Sequence, residues 1–442
     1  MQTLNMSKGF KIQLSGRPDH SLIHLPEPDT VAVSGLDIPH IRPKLLVKEG
    51  MSVKTGTPIF CDKRYPDIHY VSPGTGQVKH IIFGARRKLW EVVIELSGEE
   101  EFESFPALDR PGLDQLPKAD LVKQLKQGGL WQCFRQFPAK DVADAELEPP
   151  MIILSLEGND LFSPRPGHLL RDREAAFRYG LGILQRFCPR IIITARQSSL
   201  ADLGNLAAEV THVVDDRYPA WDPGVVLYQI KKDVADNGAW SISLQHLLWM
   251  AQFLETGQFP TQTLVTVTKP GARKPHLTTR IGAPVNHVAG QLSDGDLITT
   301  GQFNGRIARR GSHMGFFETT LNVLPKGQED EMFGFVRPGV AKPTVSNTFL
   351  SRLFKKPMDV DNTLHGEERP CINCSYCEKI CPNDLMPSFI FKALLADDIE
   401  EALSLGLMDC CRCGLCAFAC PSKIELTQIL SQGMDTHHKD KF

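Results

Sequence analysis

The chain has 442 residues, 42% of them hydrophobic, which at roughly 150 residues per domain allows about three domains with their own cores and excludes a peptide, a coiled coil or a disordered tail. Charges nearly balance, 49 Lys+Arg against 52 Asp+Glu for a net charge of -3, without the like-charge blocks of nucleic-acid arms or polybasic anchors, so nucleic acid is not an expected partner. The opening MQTLNMSKGFKIQL lacks a signal-peptide core, and no stretch approaches about 18 uninterrupted apolar residues, so neither a signal peptide nor a transmembrane segment is expected.

Residues 1–105 are rich in short β-type runs. LLVKEGMSVKTGTPIF (45–60) and VSPGTGQVKHI (71–81) read as two halves of a biotinyl/lipoyl-type barrel sandwich, with Gly50, Gly56 and Gly76 at tight turns. Carrier domains of that type load a hairpin lysine. The interval from Lys63 to Ser72-Pro73 is longer than theirs, so Lys63 reads as an unmodified surface residue.

Over 106–255 the character changes to α/β. The runs at 151–154 and 190–194 read as buried parallel strands joined by a helix over 171–187, a βαβ unit of a Rossmann-like domain. No G-x-G-x-x-G turn follows a strand and no Walker P-loop is present. The glycine pair Gly128-Gly129 is followed by Leu130-Trp131-Gln132, whose bulk obstructs approach of backbone to phosphate. Residues 256–340 return to β signals, from TLVTVTKP (263–270) to FGFVRPG, and suggest a β-grasp-like domain; 341–370 reads as a charged, turn-rich linker. His69, His80, His276 and His287 lack metal-type spacing and read as surface or packing histidines.

Nine of the 12 cysteines fall between Cys371 and Cys420; the others are Cys61, Cys133 and Cys188. In a reducing cytosol, clustered thiols point to metal rather than to disulfides. CINCSYCEKICP places Cys371, Cys374, Cys377 and Cys381 at C-x2-C-x2-C-x3-C-P spacing, and CCRCGLCAFACP repeats it with Cys410, Cys413, Cys416 and Cys420, leaving Cys411 as an extra thiol. Three thiolates two residues apart can wrap one face of a cubane while the fourth points elsewhere, and in two-cluster ferredoxins that fourth cysteine serves the other cluster. The reading is two [4Fe-4S] clusters, one on Cys371, Cys374, Cys377 and Cys420, the other on Cys410, Cys413, Cys416 and Cys381. Structural zinc, the competing reading, favours two knuckles separated by a longer loop. Between the runs, DLMPSFIFKALLADDIEEALSLGLMD reads as one amphipathic helix with Pro387 in its first turn and Gly406 at its C-cap, and SKIELTQILSQGM as another helix. The fold class expected is thus multidomain α/β (α+β): barrel sandwich, Rossmann-like domain, β-grasp domain and, over 341–442, a helical dicluster domain.

In this order the chain resembles the NqrA subunits of the sodium-translocating NADH:quinone oxidoreductases (Nqr). The matching stretches are MSKGFKIQLSGRP, the barrel-sandwich halves, GGLWQCFRQFP (128–138), TVTKPGARKPHLTTRIGAP (266–284) and LPKGQEDEMFGFVRPGVAKPTVSNT (324–348). The resemblance implies an α/β domain related to the flavoprotein subunit of respiratory complex I and a soluble-ligand-binding β-grasp domain. It also implies a peripheral position on the cytoplasmic side of a membrane-bound sodium pump, with membrane subunits and electron donor and acceptor subunits as partners and with room for quinone at a subunit interface. Well-known members of that family have lost most of the C-terminal cysteines, whereas here both runs are complete. In this the tail is similar to the RnfC subunits of the Rnf ferredoxin:NAD oxidoreductases, which hold two [4Fe-4S] clusters. The loops with which those relatives hold FMN and NADH, G-x-G-G-A-G-F-P and E-C-E-P, correspond here to QGGLWQCFRQFP and LEGNDLFSPRP. Both patterns are missing, so FMN is not expected and the chain reads as an electron relay rather than as an NADH dehydrogenase. The alternatives are an RnfC-like dehydrogenase subunit that binds FMN and NADH, and a zinc-stabilised scaffold.

Overall fold

The computed structural model describes residues 1–327, 338–340, 349–354, 356–362 and 367–441. Much of the expected linker, and of the last β-type run before it, therefore lies outside the described residues.

The β-branched runs at 151–154 and 190–194 become the strands Ile152–Ser155 and Ile191–Arg196, paired in parallel with Ile152 opposite Ile191. His212–Val214 lies beyond the second strand, and Trp240–Ser243 pairs with the other edge of the first. The four parallel strands thus stand in the spatial order third, second, first, fourth, the doubly wound arrangement whose order reverses between the first strand and the fourth. Helix Glu174–Gln185 is the expected crossover. It packs on Leu244–Thr256, which begins where the Ser243 side chain accepts from the His246 N–H and stops at Gly257 in the left-handed region. Burial on both faces explains why these strands are continuously apolar rather than alternating.

The predicted barrel-sandwich halves supply strands to both of its sheets, and Thr30–Ser34 and Leu89–Leu96, outside those halves, complete the larger one. One has the order Thr30–Ser34, Leu89–Leu96, Gly76–Phe83, Ser52–Val53; the other has Pro43–Leu45, Pro58–Asp62, His69–Val71. Lys63 is exposed just beyond Pro58–Asp62, its N–H bonded to the Arg42 carbonyl at 2.9 Å. The first residues of the chain pair elsewhere. Gln2–Leu4 adds to the α/β sheet beside His212–Val214, and Leu22–His24 adds to the sheet of the third domain. In that sheet Gln262–Thr268 and Thr320–Leu324 lie parallel at the centre, flanked by His276–Arg280 and Leu297–Thr299, with helix Val285–Ala289 between the two hairpin halves in sequence. This 2-1-4-3 order is the β-grasp topology.

The tail is helical: Tyr376–Ile380, Pro387–Leu395, Ile399–Ser404, Leu415–Ala419 and Leu426–Lys441. The single helix expected between the cysteine runs is two. Asp397 turns left-handed at φ 56, and the Asp398 side chain accepts from the Glu401 N–H to start a new helix. The apolar period runs on through this break, which is why periodicity alone does not reveal it. Gly406 sits at φ 86 just after the second helix, where a C-cap glycine was expected. No described helix is long and apolar enough to cross a membrane.

Candidate metal centre

The second cysteine run repeats the first with an offset of 39 residues, from Cys371 to Cys410, and the repeat extends to the backbone. Asn373 and Arg412 are left-handed at φ 52 and 58, Ser375 and Gly414 at 56 and 83, Asp384 and Lys423 at 53 and 59. Each pair is related by the same offset. Leu415–Ala419 likewise answers Tyr376–Ile380, and Leu426–Lys441 begins where Pro387–Leu395 requires. Equivalent helices pack on each other, so the two halves face one another about a local pseudo-twofold. Alternation of right- and left-handed residues turns successive N–H groups to one side, the concave nest that receives anions and iron–sulfur sites. For non-glycine residues such turns cost of order 1–3 kcal/mol each and persist only where surroundings enforce them.

The halves are tied crosswise. Asn383, two residues after Cys381, is 1% exposed, and its Nδ2 donates to the carbonyl of Asp409, the residue before Cys410, at 2.7 Å. Its counterpart Ser422 donates through Oγ to the carbonyl of Pro370, the residue before Cys371, at 3.0 Å, and the Ser422 carbonyl accepts from the Arg369 N–H at 2.8 Å. Each fourth cysteine is thereby fastened to the start of the opposite run. Cys381 lies close enough to Cys410 and Cys416 for their charges to interact, and Cys377 does the same with Cys374. Cys371, Cys377, Cys381, Cys410, Cys416 and Cys420 all lie in one apolar cluster with Leu385, Ile390, Leu407 and Leu430. Cys413 instead lies with Cys411 in an apolar cluster shared with the α/β domain.

Burial pushes the Cys377 and Cys410 thiols up to about 11 and Cys381 up to about 12; Cys416 is raised as well. The amides of Asn383 and Leu385 oppose this at Cys381, as does the Arg412 amide at Cys410. Such thiols are poor anions alone and need a cation to hold them ionised. Among the described residues no three His, Cys, Asp or Glu side chains stand together as a metal-holding group; the donor chemistry, thiols with backbone amides directed at them in an apolar surround, is what fits iron–sulfur ligation. Removing one tie exposes its part in this: Asn383→Ala should cost about 1 kcal/mol, because the part-buried Asp409 carbonyl loses its donor. It should also speed iron loss from the second run selectively, with Ser422→Ala acting on the first, read by chelator kinetics.

Sequence spacing does not reveal what the α/β domain adds. The Tyr218 hydroxyl donates to the Cys413 carbonyl at 2.8 Å, and Lys140 Nζ donates to the Cys411 carbonyl at 3.3 Å while standing 3.1 Å from both oxygens of the buried Asp222. Burial pulls the Lys140 pKa down, but Asp222 more than offsets this and leaves it raised, so the ammonium is charged. Cys411, the spare thiol, is buried at this contact. Gly414 must be glycine: at φ 83, a Cβ would stand 2.5 Å from the Phe303 carbonyl. These partners are far from the cysteines in sequence, and only the fold brings them together.

The glycine pair serves packing. A Cβ on Gly128 would meet the Phe253 ring at 2.1 Å and one on Gly129 would meet Val71 at 2.7 Å, while Leu130 and Trp131 are fully buried. Gly128→Ala should therefore cost about 1–3 kcal/mol in a denaturation experiment and leave iron content unchanged. After strand Ile152–Ser155, Leu161 and Phe162 are buried, and the Phe162 carbonyl accepts from Thr266 Oγ1 of the β-grasp sheet at 2.7 Å. Glu157 nearby is held by Arg196 at 2.8 Å, and Arg196 lies over Trp221. Of the scattered histidines, His276 is buried and lies against His168, the rings tilted with centroids 4.2 Å apart; His80 is exposed, and His69 and His287 are half-buried.

A family model described as the NqrA N-terminal barrel-sandwich hybrid domain matches residues 4–97, and one described as the NqrA second alpha/beta domain matches 116–259. The NqrA subunit of the Na(+)-translocating NADH-quinone reductase of Marinomonas sp. (strain MWYL1) is 30% identical over 433 residues, 96% of this chain and 97% of that protein. The chain belongs to the NqrA family of Na(+)-translocating NADH-quinone reductase subunits. Family members from Vibrio campbellii and Neisseria meningitidis serogroup B are each 28% identical across 99% of this chain and their full length. A 4Fe-4S dicluster domain model matches residues 370–424, which contain all eight motif cysteines of this family member. Among solved structures, an H2-reduced NAD+-reducing [NiFe]-hydrogenase aligns with a TM-score of 0.36 and 12% identity over 76% of this chain and 66% of that one.

Proposed function

We propose that the chain is the peripheral, electron-transferring NqrA subunit of a sodium-translocating NADH:quinone reductase-type complex, and that it passes single electrons through two [4Fe-4S] clusters. The clusters, when bound, would supply one-electron chemistry. The chain's residues would hold one cluster with Cys371, Cys374, Cys377 and Cys420 and the other with Cys410, Cys413, Cys416 and Cys381. The observation that carries this is the crossed pair of ties, Asn383 to Asp409 and Ser422 to Pro370. In support of the crosswise assignment, each tie joins the residue two after a fourth cysteine to the residue just before the opposite run. Backbone amides reach the sulfurs of Cys377, Cys381, Cys410, Cys413 and Cys416, and the packing around Leu385, Ile390 and Leu407 limits solvent, the levers by which protein sets cluster potential.

The same proposal divides the chain into a barrel-sandwich domain over 1–105, a Rossmann-like domain over 106–255, a β-grasp domain over 256–340 and the dicluster domain over 341–442. It leaves NADH oxidation and FMN to other subunits. In support, Trp131 and Leu130 fill the space after the glycine pair, and Leu161 and Phe162 fill that beyond strand Ile152–Ser155. Docking to membrane subunits on the cytoplasmic face, with any quinone at the interface, completes the assignment. Flavin analysis of the purified chain tests it against the dehydrogenase reading: about one FMN per chain with NADH-dependent bleaching of the clusters would overturn the relay.

A further inference from the structure

The two runs share a backbone but not an environment. Cys371 and Cys374 are partly exposed, and Ile372 between them is 67% exposed. Cys411, Cys413 and Cys416 are buried, the first two against the α/β domain. The residue at the left-handed position between the first two motif cysteines is neutral Asn373 in one run and Arg412 in the other. Arg412 is engaged by Asp435 at 2.7 Å, and Lys231 is engaged by Asp409. Lys140 differs from both in donating to a carbonyl of the cysteine loop. The first run has a comparable donor in Lys8, at 3.1 Å from the Glu378 carbonyl, but Lys8 is paired with the exposed Asp384, whereas the Asp222 that holds Lys140 is buried.

Reduction adds negative charge to a cluster that is already anionic, and taking that charge out of water is unfavourable. Burial alone would therefore make the second cluster the harder to reduce. A fixed cation partly shielded from water, as Lys140 is with its side chain 29% exposed, opposes this more strongly than one wholly in water. Asp222 fixes Lys140 in place, and is itself fixed by accepting from the Gly224 N–H at 2.7 Å as the cap of helix Pro223–Ile230.

Resting on the function proposed above, we infer that Lys140, held by Asp222 against the second cysteine loop, is a fixed counter-charge that raises the reduction potential of the cluster on Cys410, Cys413, Cys416 and Cys381 above that of the exposed cluster. The α/β domain thereby keeps an electrostatic part in electron transfer, although the space beside its glycine pair is filled. The buried cluster holds the electron, and the exposed first run exchanges it with a protein redox partner.

The test is an EPR-monitored redox titration of the anaerobically purified full chain and of Lys140→Met, Lys140→Arg and Asp222→Asn. Cys413→Ser identifies which reduction step belongs to the second cluster. The expected result is two steps in the parent chain, with the step altered or lost in Cys413→Ser at the higher potential. Lys140→Met should lower that step alone, and Lys140→Arg should restore it. Asp222→Asn, which keeps a helix-capping side chain but removes the charge that holds Lys140 ionised and in place, should lower the same step. Rescue by Lys140→Arg would not come from local damage. If Lys140→Met fails to fold, Asp222→Asn still decides: a second-cluster step that does not fall overturns the inference, as do equal shifts in both steps. A parent chain without iron would instead defeat the proposed function itself.

Discussion

Replacing Cys381 by serine should alter or remove the cluster of the second run, although Cys381 belongs to the first. Asn383 binds the Cys381 segment to Asp409, and Cys381 stands within charge-interaction range of Cys410 and Cys416. The reciprocal variant, Cys420→Ser, should alter or remove the cluster of the first run. Each variant should alter or remove one of two EPR signals and leave the other unchanged, since one iron of the affected cluster loses its thiolate. Cys374→Ser and Cys413→Ser provide the reference spectra. Cys381→Ser should match Cys413→Ser, and Cys420→Ser should match Cys374→Ser. The opposite matching would mean that each run ligates its own cluster.

The largest effect on stability is expected far from the cysteines. Trp131 is fully buried at the centre of an aromatic group, with ring centroids 5.3 Å from Phe134, 5.6 Å from Phe187 and 5.7 Å from Trp240, and its Nε1 donates to the Ala143 carbonyl at 2.8 Å. Edge-on aromatic packing adds to the area buried, and truncation would leave a cavity that these rigid rings cannot close. Trp131→Ala should destabilise the α/β domain by about 3–5 kcal/mol, measured by urea denaturation followed by near-ultraviolet circular dichroism. Iron content should stay at the parent level under native conditions. A loss below about 1 kcal/mol would mean that the residue is not the core anchor described.

What could be read from the sequence follows from the range of the interactions concerned. The strands at 151–154 and 190–194 are continuous apolar runs, and the cysteine motifs are local spacings repeated at a fixed offset, so both are visible in a line of residues. The left-handed turns at Asn373, Ser375 and Arg412 are not, because none of these residues demands that conformation; the surrounding fold imposes it. The break at Asp397 and Asp398 escapes periodicity because the apolar register survives it. Lys140, Tyr218 and Asp222 carry no motif and reach the second run only through tertiary packing. The pairing of Gln2–Leu4 and Leu22–His24 with two other domains is equally non-local, since short strands take their partners from geometry rather than from composition.

The central claim is that two iron–sulfur clusters occupy the tail. The direct measurement is iron and acid-labile sulfide per chain on anaerobically purified protein, with EPR after dithionite reduction. The account predicts about eight irons and eight sulfides per chain and a reduced spectrum containing two paramagnetic centres. Zinc in place of iron, or about four irons with a single centre, would contradict it.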